Sequence, residues 1–502
     1  MSLVNCSECM ADRHDSCLNE KCLCAVEAKH NEPTLKDGVR VDDSKPVHIE
    51  SLIEIFSVDN NLKFDGHDKI DNVAKGLIKF HNFVTLRNTD KILLYNGKIY
   101  DSRNAESKIK EITEKLIPNC TKHDVLEVID KIKRLTYVDL EEFDKDPHLI
   151  TVQNGILDIE TMELTPHTSK HLSQVLLPVE YTNPTTDNIE DNLKDTLFWK
   201  FLKSSFTVDN VFKKENFETV LEIIASVFIK RHVDEKAFMF LGGGENGKSV
   251  CLGYIESLLG KINVTHIPLQ KISSDKHMSA DLDGISANIF SDLEKNELRH
   301  TGEIKSIVSG EGLMVQKKYA HPFTLYPFCK LMFSCNRFPK SFDQTQGFFR
   351  RWIIVKWERN FENDPERIEY LREQLDENQL EKNLVFSSLV MIANGLIKKG
   401  KFTHSKNWRE IQTEWNANAD PLDDFATRWV KDSSHHRSKR DVYLHYKEYC
   451  FEKGEVPLGM GQFGKLFAEY FEESKNDNTR IWCNIELIEP PKNTKLEKYA
   501  LT

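Results

Sequence analysis

The run Gly242-Gly243-Gly244-Glu245-Asn246-Gly247-Lys248-Ser249 has the pattern G-x-x-x-x-G-K-S. Glycines let successive backbone N–H groups wrap phosphates without Cβ clashes, and the lysine neutralises the β- and γ-phosphates. The Ser249 hydroxyl is expected to ligate Mg²⁺, and a helix opening at Lys248-Ser249-Val250 adds a favourable dipole. The context agrees with this reading. The apolar run Phe238-Met239-Phe240-Leu241 reads as a strand before the loop, and Ser249–Leu259 reads as a helix after it. Gly242 to Val250 are therefore the expected nucleotide-binding residues, with ATP and Mg²⁺ as the ligands. A loop of this kind needs an acid for its metal. Ala287-Asn288-Ile289-Phe290-Ser291-Asp292 is a short apolar run ending in one, with Glu294 two residues on. Asp292 is expected to hold the metal through water, with a nearby carboxylate polarising the attacking water.

Two further runs carry polar residues at their ends. Lys330–Cys335 leads to Asn336, whose amide can touch a γ-phosphate or its attacking water. Phe348-Phe349-Arg350-Arg351-Trp352 opens the run Ile353–Val355, and an arginine there can reach the γ-phosphate held by a neighbouring subunit. Taken singly, an acid or Asn at a strand end is more often a turn residue, and an arginine pair at a strand start is more often surface. The stretch from His300 to Lys356 holds nine Lys/Arg against three acids, within a chain of formal net charge -11. Local basicity on an acidic chain could meet a polyanion at one patch, though a basic face alone is more often plain solvated surface.

Metal chemistry of a second kind is suggested by the first 24 residues, which hold Cys6, Cys9, Cys17, Cys22 and Cys24 with His14 between. Close thiol pairs plus a His or Cys supply the tetrahedral sulfur–nitrogen set that Zn²⁺ takes. Six candidate ligands exceed four, so the assignment stays open. The alternative is a redox-labile tail. The other six cysteines are scattered singly and read as reduced thiols.

The order of phosphate loop, acid-tipped strand, basic segment, Asn-tipped strand and arginine pair resembles the superfamily 3 helicases. Within them it resembles the primase–helicases of phages, plasmids and poxviruses. The segments that carry the likeness are GGGENGKS, ANIFSDLE, KSIVSGEGLMVQKKYAHPFTLYP, KLMFSCNRFP and GFFRRW. Upstream, HLITVQNGILDIETMELTPHT and LPVEYTNP are similar to the family's N-terminal region. Downstream, the Val442–Gly464 stretch is similar to its C-terminal winged helix. The likeness covers about residues 70–490.

The resemblance implies an AAA+-like ATPase that forms ring hexamers and translocates 3′→5′ on single-stranded or forked DNA. It makes Lys248 and Ser249 the Walker A pair, Asp292 the Walker B acid, Asn336 the sensor, and Arg350 or Arg351 the finger. It puts Lys317 and Lys318 in the loop that grips DNA. Family members often carry adjacent acids in the metal-binding strand, whereas Leu293 separates Asp292 from Glu294 here, so the general base is left unassigned. Residues 1–69 are too short and too polar for a primase domain, so a separately encoded primase or polymerase is the expected partner. Two other functions fit these motifs: an ATPase that remodels or loads origin DNA without processive unwinding, and an origin-binding protein that uses ATP only as a switch. Intact Lys248, Ser249 and Asp292 count against the switch.

These residues need elements to position them. The expected fold is multidomain α/β: an AAA+-like core with a mainly helical N-terminal domain and a C-terminal winged helix. The domains fall at 1–30 (Cys-rich head), 31–69 (linker), 70–235 (N-terminal α+β domain), 236–400 (helicase domain) and 401–502 (winged-helix-like, DNA-binding). Asn96-Gly97 reads as a hairpin turn, and Asn154-Gly155 as a second turn between short strands. After Asp420-Pro421 come three helical patterns, Leu422–Val430, Lys439–Phe451 and Gly461–Phe471, then a strand pair over about Thr479–Leu487. Arg437, Lys439, Arg440 and Lys447, interleaved with Tyr443, Tyr446 and Tyr449, suit a helix that touches phosphates; aromatics at that spacing also suit a core. No signal peptide and no run of eighteen apolar residues is apparent, so the expected location is the cytoplasm, that of the host for a viral protein.

Overall fold

The computed structural model describes residues 35–36, 39–40, 68–293, 297–318, 321–419, 421–453, 457–476 and 479–488. The cysteine-rich head with Cys6, Cys9, His14, Cys17, Cys22 and Cys24 lies outside the described residues, and so does Glu294. The chain divides into two compact units: residues 1–158 with 163–177, and residues 159–162 with 178–502.

The first unit contains helices α1 (Lys69–Phe80), α2 (Ala105–Leu116) and α3 (Lys122–Leu135). Val73, Ala74, Leu77 and Phe80 fall on one stripe of α1 and share a core with Ile109 and Ile112 of α2 and Val128 and Ile132 of α3. Thr121 caps α3 in a full capping box with Asp124. Strands β1 (Phe83–Leu86), β2 (Lys91–Tyr95), β3 (Tyr100–Asp101) and β4 (Tyr137–Val138) form one sheet in the order β3-β2-β1-β4. Strands β5 (Leu149–Val152), β6 (Gly155–Asp158) and β7 (Leu164–Thr165) form another. The unit thus mixes α-helices with short strands and is not mainly helical. The Asn96-Gly97 turn is present, with Gly97 at φ +96°. The second turn sits one residue earlier than expected: Val152 pairs with Gly155, so Gln153-Asn154 makes the bend. A Cβ at Gly155 would lie 2.5 Å from the Thr165 carbonyl oxygen, so this glycine serves the approach of β7 instead.

In the second unit, α4 (Leu197–Ser205) and α5 (Lys214–Ser226) precede a five-stranded sheet. Its strands are β8 (Ala237–Leu241), β9 (Val264–Thr265), β10 (Ala287–Phe290), β13 (Lys330–Cys335) and β14 (Trp352–Lys356); a separate hairpin is made by β11 (Leu313–Val315) and β12 (Phe323–Leu325). The sheet order is β9-β10-β13-β8-β14 and every pairing is parallel. β8 and β13 are buried along their whole length, which is why they read as unbroken apolar runs. Helices α6 (Lys248–Leu259), α7 (Gly302–Ser309), α8 (Leu371–Glu377) and α9 (Gln379–Lys399) belong to the same unit. By length and composition α9 could cross a membrane, although it holds no run of eighteen uninterrupted apolar residues. However, 61% of its apolar window is buried inside the protein. Asn394 on it donates to the carbonyls of Ile159 and Glu160.

The chain then forms α10 (Trp408–Ala419), α11 (Pro421–Arg428), α12 (Lys439–Lys453) and α13 (Met460–Phe467), with strands β15 (Val430–Asp432), β16 (Arg437–Ser438), β17 (Glu473–Asn476), β18 (Thr479–Trp482) and β19 (Ile485–Leu487). The hairpin here is β17–β18, and β19 pairs instead with β15. Glu473-Ser474-Lys475-Asn476 has no apolar residue, so nothing in its pattern marks a strand. Tyr446 and Tyr449 are buried with Phe425, Phe463, Phe467 and Trp482, while Arg440 and Lys447 face solvent. The tyrosine spacing therefore reports a core.

Candidate functional site

In a parallel sheet with one strand from which the connections run to both sides, the carboxyl ends of the strands beside it leave a crevice. Here β8 is that strand, with β13 on one side and β14 on the other. Gly242 N–H donates to the Cys335 carbonyl (3.2 Å) and Trp357 N–H to the Leu241 carbonyl (2.8 Å), so the glycine loop is tied to both neighbouring strand ends. A Cβ at Gly242 would lie 2.2 Å from Asn246 Nδ2 and 2.5 Å from the Trp357 carbonyl oxygen, so only glycine fits. Gly247 turns into α6 at φ +86°, with the Phe201 ring 2.7 Å from where its Cβ would be. Gly243 and Gly244 have no such neighbour and face open space.

Lys248 is almost fully buried at the start of α6. Its Nζ donates to the Gly242 carbonyl (2.6 Å) and to Asn246 Oδ1 (3.1 Å). Asn246 Nδ2 in turn donates to the Trp357 carbonyl (3.1 Å). Burial lowers the Lys248 pKa to about 8, against an opposing pull from Cys335 and the Asp292 carboxylate. The Cys335 thiol is pushed up to about 12 by burial. These couplings mean that Lys248, Asp292 and Cys335 converge, though β8, β10 and β13 each supply a different strand end.

Leu293 N–H donates to the Ser334 carbonyl (2.9 Å), which holds Asp292 beside the end of β13. Gly244 to Val250, Asp292 and Asn336 all line one cleft of about 1740 Å³. Ser249, Asp292 and Asn336 are exposed to it. The oxygen donors Ser249 and Asp292 suit a hard divalent cation. Sequence reading missed the other wall, made by α4 and the segment after β14. It includes Glu358, Arg359, Arg367, Tyr370 and Arg372. Arg359 bonds the Ser204 carbonyl (3.0 Å) and pairs with Asp364 and Glu366 (2.7 Å each). Arg367 pairs with Glu245 in the glycine loop at 3.5 Å. A signal existed: the mostly polar run Glu358–Arg367 lies just past the carboxyl end of an apolar strand, where such sheets place ligands.

Four predicted basic residues are not in this cleft. Arg350 and Arg351 precede β14, at the amino edge of the sheet, about 16 Å away along a five-residue strand. Their surroundings differ. Arg350 is exposed and pairs with Glu235 at 2.5 Å. Arg351 is half-buried, donating to Ser309 Oγ (2.8 Å) and the Gly347 carbonyl (2.5 Å). The flanking Phe348, Phe349 and Trp352 are buried against Trp415, whose ring stacks on Phe338 at 4.6 Å. Lys317 and Lys318 lie between β11 and β12, both exposed; Lys317 pairs with Asp283 at 3.1 Å.

Comparison with known proteins covers the same ground. Residues 37–206 match the family model described as D5 N terminal like, and residues 417–490 match Poxvirus D5 protein-like. Residues 240–351, which hold the glycine loop, match a family of unknown function, DUF5906. "Putative helicase 121R" of Invertebrate iridescent virus 3 is 25% identical over 46% of this chain and 25% of its own length. "Putative primase C962R" of African swine fever virus (isolate Warthog/Namibia/Wart80/1980) is 20% identical over 72% of this chain and 37% of its own length. The chain thus spans between a quarter and about two fifths of these curated relatives. The solved C-terminal region of NrS-1 aligns over 82% of this chain and 98% of its own at a TM-score of 0.45 and 11% identity. Matched at both ends by D5-type models and along its length by viral relatives of this kind, the chain belongs to the phage and poxvirus type of primase–helicase family.

Proposed function

We propose that this chain is an ATP-dependent DNA helicase of superfamily 3, acting in replication of a virus, plasmid or integrated mobile element. The observation that carries the reading is the convergence of Lys248, Ser249, Asp292 and Asn336, from three parallel strands, on one cleft. In this reading Gly242–Ser249 is a P-loop, and its backbone and Lys248 hold the phosphates. Ser249 and Asp292 would hold Mg²⁺, which supplies charge neutralisation on the transferred phosphoryl group. Asn336 orients the attacking water, and Glu294 or Glu358 takes its proton. Arg350 and Arg351 lie too far from their own cleft, so the finger acts on the next subunit of a ring, taken as a hexamer. The hairpin bearing Lys317 and Lys318 would contact single-stranded DNA in the channel. The helices and hairpin of residues 421–488 serve as a winged helix, and the cysteine-rich head takes Zn²⁺.

The deciding experiment is unwinding of a forked DNA duplex with ATP and Mg²⁺, beside Lys248→Ala as a control. Strand separation by the wild type and its loss in a folded Lys248→Ala protein is the expected result. ATP turnover without strand separation would instead mark an ATPase that remodels DNA. Equal turnover in the two proteins would remove the cleft from the chemistry.

A further inference from the structure

Among the described residues, nine other than glycine hold a positive φ, and four of these, Asp209, Asn210, Glu245 and Tyr370, line the cleft described above. Asp and Asn adopt this conformation readily, because their short side chains bond locally. Tyrosine does not, and a bulky residue there is an outlier kept only where its surroundings over-determine it. Tyr370 sits at φ 51°, ψ 32°.

The fold gains little from the strained residue's side chain. The ring is 75% exposed and has no stacking partner among the described residues. What the structure does instead is hold its backbone firmly. Three residues earlier, Arg367 pairs with Glu245 of the glycine loop at 3.5 Å. Earlier still, Phe361 N–H donates to the Glu245 carbonyl (2.7 Å). Two residues later, the Arg372 guanidinium lies over α6, within 2.8–2.9 Å of where a Cβ on Gly253 would be. Gln374 N–H bonds the Tyr370 carbonyl at 3.0 Å. An aromatic side chain is thus presented to solvent from an anchored stretch of backbone, beside the loop and helix that would take phosphates.

We propose that Tyr370 is the platform on which the base of the bound nucleotide stacks. The proposal rests on the nucleotide reading of the cleft and adds to it where the base lies. Stacking covers the exposed ring, and a backbone already locked in place loses little freedom on binding. Because every base has a π-face, the platform serves adenine and guanine alike.

The test measures binding of ATP, GTP and inorganic tripolyphosphate, each with Mg²⁺, to the wild type and to Tyr370→Phe, Tyr370→Ala and Tyr370→Gly by calorimetry. Loss of one stacked base should weaken ATP and GTP by about tenfold or more in the Ala and Gly variants. Tripolyphosphate affinity should stay unchanged and Tyr370→Phe should bind like wild type. Tyr370→Gly also relieves the backbone strain, so its Tm should not fall below wild type. Unchanged ATP affinity in Tyr370→Gly overturns the platform, and so does a tripolyphosphate affinity that falls in step with ATP. If wild type and Lys248→Ala bind neither ATP nor tripolyphosphate, the nucleotide reading itself fails and the platform falls with it.

Discussion

Lys248 shows how much a single side chain owes to its surroundings. The sequence marks it as a phosphate-binding lysine, yet its hydrogen bonds to Gly242 and Asn246 and its burial come from the fold. Burial disfavours the charged form and lowers its pKa to about 8 from the ordinary 10.5. Bound phosphate anions favour the charged form and would raise it again. The sign follows: between these two values nucleotide binding takes up a proton, so affinity is full below about pH 8 and falls as pH rises above it. Calorimetry above pH 8 in buffers of different ionisation enthalpy should reveal this uptake in the wild type and lose it in Lys248→Met. Proton-neutral binding in the wild type would mean that Lys248 does not meet the phosphates.

At the scale of elements, the sheet separates two kinds of positive charge. Lys248 stands at the carboxyl edge, while Lys317 and Lys318 stand in the β11–β12 hairpin, outside the cleft. Changing both hairpin lysines to Ala should weaken single-stranded DNA binding and stop unwinding while basal ATP turnover persists. The slope of log affinity against log salt should flatten by about 1.4, at roughly 0.7 for each phosphate that the protein no longer neutralises. Normal unwinding by the double variant would remove the hairpin from DNA contact. The strand and helix flanking the glycine loop were legible because their apolar patterns are long. The strands β17 and β7 were not, because two to four residues of polar or mixed character carry no period.

At the scale of the whole molecule, the proposed ring turns on Arg350. Both arginines of the pair are present in the motif, but their environments are unequal. Arg351 is half-buried and held by Ser309 and Gly347 as well as by Glu235, whereas Arg350 is exposed and pairs with Glu235. Of the two, Arg350 is therefore our candidate for the proposed finger, since it could exchange Glu235 for a neighbour's phosphate, while Arg351 ties α7 to the start of β14. Arg350→Ala should lower ATP turnover by a factor of about 10³ or more without lowering Tm. Mixing Arg350→Ala with Lys248→Ala chains should restore part of the turnover, since one supplies a complete loop and the other a complete finger at the shared interface. Turnover that stays absent in the mixture while both variants form mixed assemblies would argue against a shared site.

What the sequence determined by itself is the order of chemical groups along the chain. The glycine loop, the acid after a short strand, the Asn after another and the arginine pair could be read because each depends on residue type and local pattern. Even there, Gly155 was read as a turn residue when it serves the approach of β7. The tertiary structure alone decided which of those groups meet. Parallel pairing of β8 between β13 and β14 brings Asp292 and Asn336 to Lys248 and leaves Arg350 at the opposite edge. It also built the second wall of the cleft, with Arg359, Arg367 and Tyr370, from a segment whose mostly polar sequence carries no motif. The physical reason is range. Helix and strand periods act over a few residues, while a cleft is made by contacts between strands separated by tens to more than a hundred positions, and no local pattern records them.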